Sequence, residues 1–170
     1  CLHMPNQLPR ATRHVFVSEA RNGFGLFAAR DFAPRETIVR ITGREYNWNV
    51  LWRRGGSFAA NCFRFGPETY LDPEQGWGRY LNHSCTPNAA LCFANDKLFL
   101  VAAGPIRTKA EIVIDYSTTI GDDDRWRMYC RCGTRKCRRV ITRFGLLPAD
   151  VKKSYLRRGL VAHNILPTLD

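Results

Sequence analysis

The sequence predicts a mainly β fold with a few short helices. Its apolar runs are short, rich in β-branched and aromatic residues, and separated by Gly, Pro, Asn and Asp, which is typical of many short strands joined by turns. Helical periodicity is sparse and lies mostly late in the chain. With 170 residues, 45% of them hydrophobic, the chain can bury one good core, so we expect a single domain with attachments.

Seven segments have the strand pattern. In chain order they cover residues 14–17, 25–28, 37–41, 62–65, 89–93, 97–102 and 111–114. Asn95 and Asp96 separate the fifth and sixth segments, and this pair favours a tight hairpin turn. We therefore expect those two strands to form a hairpin.

Two segments are predicted to be helical. The weaker one covers residues 47–54 and ends at a Gly-Gly pair. The other covers residues 149–158, where Leu147, Val151 and Tyr155 recur at four-residue spacing and Gly159 follows at a position that favours glycine. The apolar stripe of this terminal helix is expected to pack on the domain. Gating of a peptide groove and dimerisation are the alternatives.

The formal net charge of +11 is concentrated in one region. Residues 125–158 hold twelve Lys or Arg and one acid, Asp150, whereas the rest of the chain has 14 basic and 14 acidic residues. Such a cluster is either a solvated face or a surface that attracts polyanions such as nucleic acid. The acidic run at residues 122–124 is either a solvated loop or part of a groove for a basic peptide.

The cysteines favour metal binding over disulfides. The chain has seven, an odd number, and three of them follow a Cys-x-Cys-x4-Cys pattern over residues 130–137, with Gly133 allowing a tight turn. Thiols at this density favour tetrahedral Zn²⁺, which requires a fourth ligand. Reduced thiols without a metal are the alternative. Cys62 and Cys92 lie in apolar strands and are expected to be small core residues.

Three other segments are candidates for a functional site. In Gly23-Phe24-Gly25 the glycines let the backbone approach a ligand closely, although the same pattern marks ordinary turns. The polar run Asn-His-Ser-Cys-Thr-Pro-Asn over residues 82–88 is costly to bury unless each group has a partner, which predicts a site or a dense structural network. The third segment, residues 111–116, ends in Asp115-Tyr116.

These segments, in this order and spacing, resemble the signatures of SET-domain protein-lysine methyltransferases with a post-SET zinc segment. The residues concerned are Gly23-Phe24-Gly25, the run 82–88, Asp115-Tyr116, and Cys130-Arg131-Cys132-Gly133 with Cys137-Arg138. The resemblance spans roughly residues 14–139. It implies a SET-like fold of small β-sheets, in which the segment ending at Tyr116 lies against Asn82-His83 in a pseudoknot, followed by a zinc-bound post-SET segment and a C-terminal helix.

The resemblance also implies roles for individual residues. Tyr116 matches the catalytic tyrosine, which lies beside the axis of methyl transfer; a core tyrosine is the alternative. S-adenosylmethionine is expected to be held by Gly23, Phe24, Gly25, Asn82 and His83, with a lysine channel leading to it from the opposite surface. His83 is expected to have a structural role in this pocket rather than to act as a base. Cys85 is expected to complete a zinc site with Cys130, Cys132 and Cys137.

Two channel positions depart from the family pattern. Ile114 lies where many members carry a second tyrosine, and Asn61 lies where a channel tyrosine is frequent. Because Ile114 has no hydroxyl group, it leaves less to hydrogen-bond a partly methylated amine, so the resemblance favours di- or trimethylation.

We therefore predict a chain of four parts: an N-terminal tail at 1–13, a SET-like catalytic domain at 14–118, a post-SET zinc segment at 119–139 and a helical extension at 140–170. The residues before Met4 are expected to derive partly from cloning. The predicted substrate is a protein lysine, with histones among the candidates. The alternative function is a SET-like module with reduced catalysis that docks on nucleic acid or chromatin. No apolar run could span a membrane, so an intracellular location is expected, nuclear for a chromatin enzyme of a eukaryote and cytoplasmic or nucleoid for a bacterial one.

Overall fold

Short strands form four small sheets in the computed structural model, which describes residues 10–124, 126–161 and 165. Residues 1–9 of the predicted tail, Arg125 of the basic region, and residues 162–164 and 166–170 of the predicted extension lie outside the described residues. The strands are β1 (Val15–Ala20), β2 (Gly23–Ala28), β3 (Thr37–Ile41), β4 (Arg44–Asn47), β5 (Phe63–Arg64), β6 (Thr69–Asp72), β7 (Asn82–His83), β8 (Ala89–Ala94), β9 (Lys97–Ala102), β10 (Glu111–Ile114), β11 (Met128–Tyr129) and β12 (Val140–Ile141).

The sheets are joined by short helices. Three are α-helices, α1 (Trp48–Arg53), α2 (Gly56–Ala59) and α3 (Ala149–Arg158), and single 3₁₀ turns cover Trp77–Tyr80, Tyr116–Thr119 and Phe144–Leu146. The strand orders are β1-β2-β10-β7, β3-β9-β8, β4-β6-β5 and β11-β12. The prediction of a mainly β fold with a few short helices is therefore confirmed.

Several predicted elements are confirmed with their boundaries. The predicted strands at 37–41, 97–102 and 111–114 correspond to β3, β9 and β10, and the predicted helix at 149–158 corresponds to α3. The hairpin turn between β8 and β9 has φ of 50° at Asn95 and 56° at Asp96. Gly159 ends α3 in the left-handed conformation, with φ of 63°.

The main core lies between the β1-β2-β10-β7 and β3-β9-β8 sheets. Its fully buried side chains include Leu26, Leu100, Ile112 and Ile114. Each such aliphatic side chain contributes roughly 1.5–3 kcal/mol by leaving water. Ile112 and Ile114 alternate along β10 with the half-buried Glu111 and Val113, so one face of this strand is committed to the core.

The parallel pair β7–β10 brings distant parts of the sequence together. Val113 is paired with Asn82 and Ile114 with His83, and the Ser84 N–H donates to the Ile114 carbonyl at 2.8 Å. The segment that ends at Tyr116 therefore lies against Asn82-His83, as expected.

The apolar stripe of α3 packs on the domain, as predicted. Leu147 and Tyr155 are buried in a second cluster with Ala90 and Phe144, and Val151 is partly buried against it. The core assignment of Cys92 is wrong, because this side chain lies on the exposed part of β8, and Cys62 is only half-buried. Among the helices that the structure describes, none combines the length and apolar character needed to span a membrane.

Candidate active site and metal centre

A cavity of about 450 Å³ opens beside the ends of β2 and β7. Of the predicted site residues, Gly23, Phe24, Asn82 and Tyr116 line it, together with Asn61. Much of the remaining wall is apolar or aromatic, formed by Trp52, Phe58, Phe63, Tyr80, Leu81, Ile120 and Trp126, among others. The volume is within the roughly 300–1,000 Å³ that small-molecule sites occupy. Gly25, His83 and Ile114 stand behind this wall rather than in it.

Asn82 fastens the glycine segment to the neighbouring strands. Its amide nitrogen donates to the Phe24 carbonyl at 3.1 Å and to Glu111 Oε1 at 2.8 Å. Because both partners are acceptors, the amide nitrogen must face them, and Oδ1 is the atom that can accept a hydrogen bond from a ligand. A Cβ atom at Gly25 would lie 2.9 Å from the Ala20 Cβ, so glycine is required for this close approach.

Both the backbone N–H and the hydroxyl group of Tyr116 are hydrogen-bonded. Its hydroxyl group donates to the Leu81 carbonyl at 2.6 Å, and its backbone N–H donates to His83 Nδ1 at 3.2 Å. Burial raises the pKa of the Tyr116 phenol, so the group is protonated at neutral pH. Its ring lies 6.3 Å from that of Trp126. The hydroxyl group is thus a fixed dipole in the cavity wall.

His83 links Tyr116 to the cysteines. Burial lowers the pKa of His83 to about 4, against the opposing effect of Asp115, so the ring is neutral at pH 7. Since the Tyr116 N–H occupies Nδ1, the ring proton is on Nε2, which lies 3.4 Å from Cys85 Sγ. His83 is therefore an N–H donor to this sulfur, which agrees with a structural role and not with that of a base.

Three of the predicted metal ligands, Cys85, Cys130 and Cys132, cluster with His83, and the fourth, Cys137, lies beside Cys130. Cys130 Sγ lies 3.6 Å from both Cys85 Sγ and Cys137 Sγ. The ligand atoms of His83, Cys85, Cys130 and Cys132 all lie within 4.8 Å of one another. A tetrahedral zinc ion with bonds of about 2.3 Å would separate its sulfur ligands by about 3.8 Å, which fits these distances.

The thiols of the cluster differ in acidity. Burial opposes ionisation of Cys132, but hydrogen bonds from the Cys85 and Thr134 backbones and from the Thr134 hydroxyl group lower its pKa to about 6. Burial raises the pKa of Cys85 and that of Cys130. A dication would supply the charge that these buried thiols need in order to ionise together.

The two predicted channel residues have different surroundings. Asn61 contributes to the cavity wall, and its side-chain amide donates to the Ser57 carbonyl at 2.8 Å. Ile114 is fully buried in the main core and is not part of the wall. This arrangement does not support direct contact between Ile114 and a bound amine.

The acidic run does not form an open acidic groove. Asp124 is buried and accepts from the Tyr70 hydroxyl group at 2.6 Å and from the Gly121 N–H at 2.7 Å. Asp123 and Asp124 both pair with the buried Arg64. Because both acids pair with Arg64, they hold the turn at 121–124 onto β5, and the alternative of a groove for a basic peptide is not supported.

Sequence reasoning missed the residues that hold the site from behind. Asp115 is buried between Arg138 Nη2 at 2.6 Å and the Tyr155 hydroxyl group at 2.8 Å. Glu111 accepts from Asn82, and Leu81 provides the carbonyl for Tyr116. Glu111 and Asp115 lie in the segment already singled out, which was a usable signal, whereas the sequence around Tyr155 has no comparable pattern.

Comparison with known families identifies the relationship of this chain to other proteins. The sequence model described as SET domain matches residues 23–117, more than half of the chain. The chain belongs to the SET-domain family. The match includes the glycine segment, the 82–88 run and Tyr116, so the resemblance seen in the sequence is confirmed.

Relatives of this SET domain include histone-lysine N-methyltransferases. The chain is 28% identical over 141 residues to human histone-lysine N-methyltransferase 2D, covering 74% of the chain and 2% of the relative. It is 30% identical over 146 residues to histone-lysine N-methyltransferase set-2 of Caenorhabditis elegans, covering 78% of the chain and 10% of the relative. The chain thus spans a small part of the length of these relatives.

A solved structure shares the fold. The methyltransferase domain of human histone-lysine N-methyltransferase SETMAR superimposes with a TM-score of 0.64 at 25% identity, over 76% of this chain and 58% of that one. The SET-like fold predicted from the sequence is therefore confirmed.

Proposed function

We propose that this SET domain transfers methyl groups from S-adenosylmethionine to lysine side chains of proteins. The observation that supports this most is the meeting of Tyr116, Asn82 and the Gly23-Phe24 backbone at one cavity, with the tyrosine hydroxyl group held 2.6 Å from the Leu81 carbonyl. The names of its relatives agree with this activity.

The residues of the cavity fit the cofactor. Asn82 Oδ1 would accept from its ammonium group, the backbone of Gly23-Phe24 would line it closely, and aromatic rings such as Trp126 would cover its apolar parts. We propose that Gly25 and His83 shape this pocket from behind its wall. When bound, S-adenosylmethionine supplies a methyl group that is activated by the positive charge on sulfur.

The chain itself contributes alignment and electrostatics. A free lysine titrates near about 10.4, and an apolar cavity favours the neutral amine that can act as a nucleophile. Tyr116 presents a fixed hydroxyl dipole to the reacting groups, so it need not reorient during the reaction. Alignment of amine and methyl group in such a closed space removes much of the entropic barrier.

We also propose a structural zinc ion bound by Cys85, Cys130, Cys132 and Cys137. The alternative fourth ligand, His83, is disfavoured because its Nε2 carries the ring proton. The ion would hold the 130–137 segment against the loop that contains Cys85. It would have no direct role in the chemistry.

The substrate, the location, the methylation state and the boundaries of the parts of the chain are also proposals. Histones are the proposed substrates because the relatives are named as histone-lysine enzymes, and a nuclear location follows for such a substrate. Di- or trimethylation remains the proposed outcome, on the ground that Asn61 in the cavity wall lacks a phenol. We propose catalytic, post-SET and C-terminal parts at 14–118, 119–139 and 140–170.

A basic surface offers a second contact, with nucleic acid. Within residues 126–158 its exposed members are Arg127, Arg131, Arg135, Lys136, Arg139, Lys153, Arg157 and Arg158. We propose that this surface binds the phosphates of DNA or RNA and brings the site to chromatin. A module that only docks would bind nucleic acid without turning over substrate.

Salt-dependent binding tests this surface. Replacing Arg135 and Lys136 by alanine should lower the slope of log affinity against log salt by about 2, roughly 0.9 for each phosphate that is no longer neutralised. A pair of exposed arginines elsewhere, Arg40 and Arg107, provides the control and should leave the slope unchanged. Equal slopes for both double variants and the unmodified chain would contradict the proposed binding of nucleic acid at this surface.

The activity is tested by methyl transfer from labelled S-adenosylmethionine to histones, nucleosomes and a mixed protein extract. We expect label on lysine, and a loss of about 100-fold or more in Tyr116→Phe because the fixed dipole is removed. Tyr129→Phe, at a side chain that is 82% exposed, is the matched control. Folded, zinc-loaded protein that labels none of these substrates would favour the docking module.

A further inference from the structure

We infer that Tyr155, on the C-terminal helix α3, positions the catalytic Tyr116. The Tyr155 hydroxyl group would do so by holding the Asp115 carboxylate, from which the turn carrying Tyr116 begins. This inference rests on the proposed methyltransferase function. It gives the C-terminal extension a role in the site, in addition to packing.

Asp115 connects the two tyrosines. Its side chain is 0% exposed, and Oδ2 accepts from the Tyr155 hydroxyl group at 2.8 Å and from Arg138 Nη2 at 2.6 Å. The other oxygen, Oδ1, accepts from the Ser117 N–H at 3.0 Å and so caps the 3₁₀ turn Tyr116–Thr119. One carboxylate therefore fixes the start of this turn, and it is supported from the other side by Tyr155 of α3 together with Arg138.

The hydroxyl group of Tyr155 is committed to this contact. The side chain is 4% exposed, and burial together with Asp115 raises the pKa of the phenol, which keeps it a donor. A second acceptor, the Cys85 carbonyl, lies 3.3 Å away. Since a hydroxyl group has one hydrogen, the shorter contact to the charged oxygen takes it. Helix α3 thus contacts the catalytic turn through the hydroxyl group of Tyr155.

Tyr116 has little freedom to compensate if this support is removed. Its N–H and hydroxyl group are already bonded to His83 and Leu81, so a shift of Asp115 would be passed on to both bonds. In-line methyl transfer is sensitive to such shifts, because misplacement by about 1 Å can cost about 100-fold in rate. Loss of the Tyr155 hydroxyl group should therefore reduce turnover more than binding.

The test removes that hydroxyl group in the full chain. In Tyr155→Phe, kcat should fall about tenfold, while the KM for peptide and the Kd for S-adenosylmethionine stay within about twofold. Zinc content should be unchanged. Tyr129→Phe, at an 82% exposed side chain, should retain all values. A kcat equal to that of the unmodified chain would overturn the inference.

Two further measurements separate positioning from a general loss of structure. In a Tyr116→Phe background, adding Tyr155→Phe should change kcat less than about twofold, because the residue being positioned is already disabled. If the kcat losses of Tyr116→Phe and Tyr155→Phe multiplied in the double variant, the inference would be contradicted. If the unmodified chain transfers no methyl group, the proposed function fails instead. In that case hydrogen exchange still tests whether Tyr155 positions the turn that begins at Asp115. The Thr118 N–H, which donates to the Asp115 carbonyl at 2.9 Å, should exchange faster in Tyr155→Phe.

Discussion

Single buried or partly buried polar residues determine the geometry of this site. Asn82, His83 and Asp115 each bond to groups that are distant in sequence, and each has its orientation fixed by the kind of partner it meets. In a low-dielectric interior such bonds are strong, and an unpaired group is costly. Changes of one or a few atoms at these positions are therefore expected to have measurable effects.

The close approach at Gly25 leads to a first prediction. In Gly25→Ala the new Cβ would meet Glu111 Oε1 at 2.6 Å and Ala20 Cβ at 2.9 Å. Glu111 can yield, but the strand carrying Ala20 must shift, at a cost of about 1–3 kcal/mol. We expect that loss in urea unfolding and at least tenfold weaker S-adenosylmethionine binding by calorimetry. Gly104→Ala, where a Cβ meets no heavy atom within 4 Å, is the control. Equal affinity in both variants would contradict the account.

Arg64 leads to a second prediction. Its side chain is 7% exposed and pairs with Asp124, whose side chain is 5% exposed. Arg64→Ala leaves a buried carboxylate without its cation, so we expect a loss of about 3–5 kcal/mol in the free energy of unfolding. Urea denaturation measures it.

An exposed pair serves as the comparison for Arg64. Arg107 pairs with Asp31 at 2.8 Å, but its side chain is 83% exposed, so Arg107→Ala should cost less than about 1 kcal/mol. Similar losses for the two variants would mean that the Arg64 pair is not insulated from water. The acidic run was visible in the sequence, but its partner lies 59 residues away from Asp123, beyond the reach of local patterns.

At the scale of elements, strands with strong β-branched patterns were predictable and weakly apolar ones were not. β9 and β10 have the predicted bounds because their buried residues alternate with others along apolar runs, and β3 has them because its run is rich in β-branched residues. β4 has the sequence Arg-Glu-Tyr-Asn and forms because it pairs with β6. Neither of these two strands was predicted from the sequence. β7 has two residues and exists through its parallel pairing with β10, which is a tertiary interaction.

The hairpin between β8 and β9 leads to a prediction at this scale. Asp96 has φ of 56°, a conformation that costs free energy for a residue with a Cβ and is the reason Asn-Gly is preferred in such turns. We expect Asp96→Gly to stabilise the fold by about 0.5 kcal/mol, read as a higher urea midpoint. Asp96→Ala should lower the midpoint, because alanine keeps the Cβ and loses the polar side chain. The opposite order would contradict the turn assignment.

For the whole molecule, the cluster of cysteines with His83 and the sheet contacts join segments that local patterns cannot connect. The composition of residues 130–137 indicated a metal, and the resemblance added Cys85. The hydrogen-bond network around His83 became visible only in three dimensions. Likewise, the sequence pointed to Tyr116, whereas its support by Tyr155 depends on how α3 packs.

Zinc removal gives the prediction for the whole molecule. We expect about one zinc ion per chain by mass spectrometry, and chelation should lower the melting temperature and abolish methyl transfer, since the ion joins the 130–137 segment to the Cys85 loop. Activity that returns with added zinc shows that the loss is reversible. Full activity in metal-free protein would contradict a structural zinc.

The ligand set can be tested in the same assay. On the proposed ligand set, Cys137→Ser should reduce zinc content severely, whereas His83→Gln should retain it, because His83 Nε2 would then donate to the Cys85 sulfur and not bind the metal. Loss of zinc from His83→Gln alone, with zinc retained in Cys137→Ser, would reverse the assignment.

The 40 residues between Asp115 and Tyr155 also matter for a chain that is still being made. A ribosome adding about 5–20 residues per second needs about 2–8 s to extend the chain from one to the other. During that interval, the nascent polypeptide gains the last residues of the cavity wall, up to Trp126, but still lacks the hydroxyl group that supports its catalytic turn. Methyl transfer by a growing chain should therefore lag behind its synthesis, and it should reach its full rate only once the C-terminal helix is finished.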